Sequence, residues 1–175
     1  MIGGLAPKRV IKKTSFLPVL IAFTICVFVA FMHVNVAGRV LSLLCLPLLF
    51  VALWPRNLNA QLSILIFLFA GLFVDWGSAG APGQWALVYL AVFAVTRPDQ
   101  RLAPLSFWLA IRNWFVAVVI AAIILIVSGS FVYGVWPNFA VLAWQFGAMT
   151  ALLPILYLFR RVMYYIFSHP DEMEF

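Results

Sequence analysis

Five carboxylates, two histidines and two cysteines are the whole stock of conventional catalytic and metal-binding side chains in this 175-residue chain. Asp171, Glu172 and Glu174 crowd into the terminal "SHPDEMEF". Asp99 sits in "TRPDQR", and Asp75 alone interrupts the apolar "GLFVDWGSAGAPGQWALVYL". His33 and His169 are far apart, and Cys26 and Cys45 each lie inside an apolar run without C-x-x-C spacing, so they read as small buried hydrophobes rather than a disulfide or metal pair. There is no carboxylate pair within one apolar run, no H-E-x-x-H, no phosphate-binding glycine loop and no nucleophile elbow. Intramembrane proteolysis or acyl transfer would need several polar groups converging at depth. The expectation is a protein that is not an enzyme and carries no metal or cofactor.

Asp75 is the residue that most needs a reason. A carboxylate flanked by long apolar runs is costly and usually has a task. The small residues and proline of "GSAGAPG" just after it permit a tight turn. One reading is a capping or turn aspartate whose oxygens accept nearby backbone N–H groups. The other is a polar anchor facing the bundle interior and used to bind a partner segment. Proton relay is a distant third, because no base accompanies it.

The elements that must position these residues are set by composition. The chain is 66% hydrophobic and 9% charged, with a mean hydropathy of +1.12. A soluble domain carries roughly a quarter charged residues, so the solvent here must be lipid, and the chain reads as a single integral membrane domain over 1–175. A basic segment, 1–14, precedes the first apolar run, and that run is too long and lacks a small-x-small cleavage site, so it reads as an uncleaved first span. A short acidic tail, 168–175, closes the chain.

Six apolar segments qualify as crossings of an all-α polytopic bundle: 16–33, 40–53, 60–74, 84–95, 105–128 and 139–159. Segments two to four are short for a bilayer of about 30 Å at about 1.5 Å per residue. They must therefore be shielded and tilted inside the bundle, or one of them re-entrant; Pro47 is expected to kink the second. The charges favour six crossings. With the N-terminus inside, Lys8, Arg9, Lys12, Lys13, Arg56, Arg97, Arg101, Arg112, Arg160 and Arg161 fall on the cytoplasmic side, and only Arg39 of the 11 cationic residues falls outside. Both termini are then cytoplasmic. Arg112 reaches the inner face by snorkelling, or else pairs with Asp99 or an interior polar group. The net charge of +6 is thus a membrane-surface pattern that suits anionic headgroups and excludes nucleic acid as a partner. Trp54, Trp76, Trp85, Trp108 and Trp136 lie near span ends, as interface anchors do. Gln145 and Thr150, with Gly147 and Ala148, suit a small-residue helix contact with a hydrogen bond. "TRPDQR" and "PKRVIKK" are either solvated or headgroup-facing charge, or docking surfaces.

From "LPLLFVALWPRN" through "GLFVDWGSAGAPGQWALVYLAVFAVTRPDQRL", Leu46 to Leu102, the chain resembles MreD, the rod shape-determining membrane protein of bacteria. The matching features are Trp54–Pro55–Arg56, Gly71–Leu72 leading to Asp75, Pro82–Gly83, Trp85–Ala86–Leu87, and the arginine-containing loop Arg97 to Arg101. The family's acidic–leucine pair stands here as Asp75–Trp76. The resemblance implies a non-enzymatic subunit of the cell-elongation machinery in the inner membrane. It would associate with a bitopic MreC-like protein and couple the MreB cytoskeleton to a SEDS glycosyltransferase and a class B penicillin-binding protein. It also implies a fold similar to the substrate-binding membrane subunits of ECF vitamin transporters, which supplies the alternative function, small-molecule binding for transport. The residues expected to meet a partner are Asp75, Gly80, Pro82, Gly83 and Trp85 on the outer side, and Arg97, Asp99 and Arg101 on the inner.

Overall fold

The computed structural model describes residues 16–36, 39–54, 59–78, 81–96, 106–134, 136 and 138–168. They form six α-helices: α1 (Phe16–Val29), α2 (Leu46–Ala52), α3 (Ala60–Ser78), α4 (Gln84–Thr96), α5 (Phe107–Tyr133) and α6 (Phe139–Ser168). A two-stranded antiparallel hairpin, β1 (His33–Val36) and β2 (Arg39–Ser42), and a 3-10 turn, Leu43–Cys45, stand between α1 and α2. Three helical segments, Ala60–Ser78, Phe107–Val132 and Phe139–Phe159, are long and apolar enough to cross a membrane.

The second expected crossing, 40–53, is corrected by this arrangement. It is a strand, a 3-10 turn and a seven-residue helix in series. Pro47 does not kink it; the proline sits in the first turn of α2, where its missing N–H costs nothing. A stretch like this exposes more backbone polarity than a helix and is tolerated at membrane depth only inside protein. α2 meets that condition. Its Pro47, Leu48, Leu49, Val51 and Ala52 are buried, and it packs against α1, α4, α5 and α6.

α4 is the other shielded helix. At 13 residues it spans about 20 Å. It buries Trp85, Ala86, Val88, Tyr89, Val92, Phe93 and Thr96 between α3, α5 and α2. α3 and α4 cross closely because Gly71 faces Ala86: a Cβ on Gly71 would lie inside contact distance of the Ala86 backbone and 2.9 Å from its Cβ. Beside this crossing, Phe23, Trp54, Phe67 and Phe93 form a chain of edge-on ring contacts, with Trp54 and Phe67 centroids 4.8 Å apart.

Six serine and threonine hydroxyls inside the helices are satisfied locally, as an apolar surround requires. Thr24, Ser63, Thr96, Ser128, Ser130 and Thr150 each donate to the carbonyl four residues earlier, at 2.6–2.9 Å. Two of them also accept an indole N–H: Ser63 from Trp54 at 3.0 Å and Thr150 from Trp114 at 2.8 Å. The second bond ties α5 to α6 through Thr150, one of the two residues expected to make an interhelical hydrogen bond.

Helix ends differ modestly from expectation. α5 begins on Ser106, whose Oγ accepts the Leu109 N–H at 3.3 Å, and ends on Gly134 at φ +63°, the left-handed cap that glycine adopts freely. α6 runs through Pro154 to Ser168 instead of closing at 159. Of the five tryptophans expected at the interface, Trp76, Trp108 and Trp136 are exposed, at 83, 78 and 70%. Trp54 and Trp85 are core residues at 6% each. Position along the sequence did not tell which tryptophans face the protein interior.

Candidate functional site

Asp75 lies one turn before the end of α3 and is 4% exposed. Its Oδ1 accepts the backbone N–H of Trp85 at 2.8 Å, so the carboxylate caps the first turn of α4 from across the loop. The geometry follows from the chain between them. Ala81, Pro82, Gly83 and Gln84 form a β-turn closed by Gln84 N–H donating to the Ala81 carbonyl at 3.1 Å. Proline at its second position and glycine at φ +85° at its third define a type II turn. The turn reverses the chain so that the N-terminus of α4, whose first N–H groups have no helical partner, faces the C-terminal turn of α3. A carboxylate there is favoured twice, by the hydrogen bond and by the positive end of the helix dipole.

The structure therefore draws four of the expected outer residues together. Asp75 and Trp85 bond directly, Pro82 is exposed at the tip, and Gly83 supplies the turn. With Asp75 and Trp85 both buried, neither side chain is presented to a partner in this conformation. Gly80, Arg97, Asp99 and Arg101 lie outside the described residues, as do the whole basic segment 1–14 and residues 169–175 of the acidic tail. Arg112 is exposed, and its guanidinium lies 3.5 Å from the Asn113 Oδ1, which fits snorkelling with a weak interior contact.

The neighbouring polar groups each have a partner within the protein. Gln84 donates through Nε2 to Ser128 of α5, fixing the α4 N-terminus to that helix. Asn138 caps α6, its Oδ1 accepting the Ala140 N–H at 3.0 Å. Asp75, Gln84 and Asn138 thus line no common pocket. Tyr89 was not anticipated, although its place four residues after Trp85 puts it on the same face of α4. It is fully buried.

A different concavity opens on α6. A groove of about 470 Å³ is lined by Ala143, Trp144, Gly147, Ala148, Ala151 and Leu152, with Leu41 of β2 as the opposite wall. Ala143, Gly147 and Ala151 recur every fourth residue and so share one helix face. A Cβ on Gly147 would meet nothing within 4 Å, unlike one on Gly71 or Gly77, where Ala86 and Phe31 occupy the space. Among the described residues, no three His, Cys, Asp or Glu side chains gather in metal-binding geometry.

No family model matches the chain, and neither a curated protein nor a solved structure matches it.

Proposed function

We propose that this protein is a non-catalytic membrane subunit that seats the transmembrane segment of a bitopic partner. The MreD-like features of residues 46–102 make that partner an MreC-like protein, and the role one of linking the MreB cytoskeleton to peptidoglycan synthesis by a SEDS glycosyltransferase and a class B penicillin-binding protein. The reading includes six crossings in the bacterial inner membrane with both termini cytoplasmic.

The observation that carries it is the groove on α6. In lipid, helices associate through close packing rather than hydrophobic drive, and small residues four apart allow backbones to approach. Ala143, Gly147 and Ala151 supply such a face, and the described residues leave it open. The ECF-type alternative requires convergent polar groups around a ligand; here Asp75 accepts the Trp85 N–H, Gln84 donates to Ser128 of α5 and Asn138 caps α6. The exposed Pro82 turn, with Arg97, Asp99 and Arg101, is the proposed accessory contact at the two ends of the partner helix.

Replacing Gly147 by leucine fills the groove without touching the chain's own core. Recovery of an MreC-like partner in mild detergent should fall by roughly tenfold, the loss of about 1.4 kcal/mol of packing. The thermal midpoint of the isolated subunit should hold. Undiminished co-purification would overturn the assignment of this face.

A further inference from the structure

One end of the α5–α6 pair gathers cations and aromatic rings. The two helices run antiparallel: Trp114 bonds to Thr150, and nearer the start of α5 the Phe107 ring meets Tyr157, centroids 5.3 Å apart. Phe107 also lies against Trp108, at 6.4 Å. Arg112 follows Trp108 by one turn on the same face of α5, and both are exposed. Helical side chains lean towards the N-terminus, which leads the Arg112 side chain back towards Trp108. On α6, exposed Arg161 follows Tyr157 by one turn and so stands at the same end of the pair.

No carboxylate among the described residues answers these charges. Asp75, the one acidic residue described, bonds Trp85, whose neighbour Gln84 reaches Ser128. That places it about 24 Å along α5 from Arg112. The Asn113 Oδ1 is neutral and, at 3.5 Å, at the outer limit of a hydrogen bond. A cation inside the start of a span is costly unless an anion or water meets it. Past Arg112 the same face continues through exposed, apolar Phe115 and Val119. A ligand suited to this surface is anionic at one end and apolar along its length.

We propose that Arg112 and Trp108 hold the phosphodiester of an anionic phospholipid whose acyl chains lie along Phe115 and Val119. Arginine forks onto two phosphate oxygens, and the indole N–H adds a donor at headgroup level. Arg161 sets the preference among headgroups. A second positive charge at this end favours one without an ammonium, such as phosphatidylglycerol, over phosphatidylcholine. Inorganic phosphate would leave the apolar face unused. The site stands whether or not the groove on α6 takes a partner helix.

Native mass spectrometry of the full chain, released from mild detergent, counts bound lipids directly. With acyl chains matched, phosphatidylglycerol should be retained about fivefold more than phosphatidylcholine. Arg112→Gln should bring the two lipids level. It leaves the fold intact, because the position is exposed and glutamine is a good helix former. Lys13→Gln removes the same charge from the basic N-terminal segment and should keep most of the preference. Equal losses in the two variants would mean a diffuse attraction spread over the chain's cations, and would overturn the site. So would a wild-type protein that retains both lipids alike, a comparison that needs no variant.

Discussion

Gly71→Val should be the most damaging single substitution in the membrane core, lowering stability by about 3 kcal/mol or more and cutting folded yield correspondingly. Overpacking usually costs about 1–3 kcal/mol because a neighbour can rotate away. Here the obstacle is the Ala86 backbone, which cannot. The two helices must separate, and the fully buried Val74 and Val88 that flank the crossing lose contact with them. Gly71→Ala tests the argument by its sign. Alanine exceeds glycine as a helix former by about 1 kcal/mol, so a stabilised variant would show that the crossing is not tight. Gly129→Ala in α5 is the control, since a Cβ there meets nothing within 4 Å. It should leave the thermal midpoint unchanged or raise it. Unfolding in mild detergent, followed through intrinsic fluorescence, gives all three.

Asp75→Ala should follow, at about 2–3 kcal/mol. The change strands the Trp85 N–H, for which a buried unpaired donor costs about 1–3 kcal/mol. It also removes a negative charge from a helix N-terminus, worth about 0.3–1 kcal/mol. Asp75→Asn keeps an oxygen at the Oδ1 position and should retain more than half of the stability that alanine loses. If asparagine and alanine prove equally damaging, charge and not the hydrogen bond is what α4 requires. If neither lowers the midpoint, the cap is dispensable and Asp75 must be explained by a partner. The pair also separates folding from assembly, because a cap residue acts on the isolated subunit before any complex forms.

Of the two sequence readings of Asp75, the cap is the one the hydrogen bond to Trp85 embodies. It was legible because a carboxylate followed by small residues, proline and glycine is a turn in any solvent. The starts of α3, α4 and α6 at Ala60, Gln84 and Phe139 were legible for the same local reasons. The unit before α2 was not. "HVNV" alternates as a strand does, but "RVLS" does not, and four alternating residues are too few to stand out from the hydropathy of so apolar a stretch. Helix faces were equally hard to read. When nearly every residue is apolar, the side facing protein is not marked by polarity, so buried Trp54 and Trp85 look the same in sequence as exposed Trp76 and Trp108. Close approach at Gly71 and open space at Gly147 likewise look alike as letters and differ only once neighbours are placed.

The short helix α2 carries a consequence for how the protein is made. Apart from α1, the helices that enclose it, α4, α5 and α6, all follow it in the chain. When α2 leaves the ribosome, α1 alone of those four neighbours has been made. Its buried seat is therefore completed by helices that are synthesised after it.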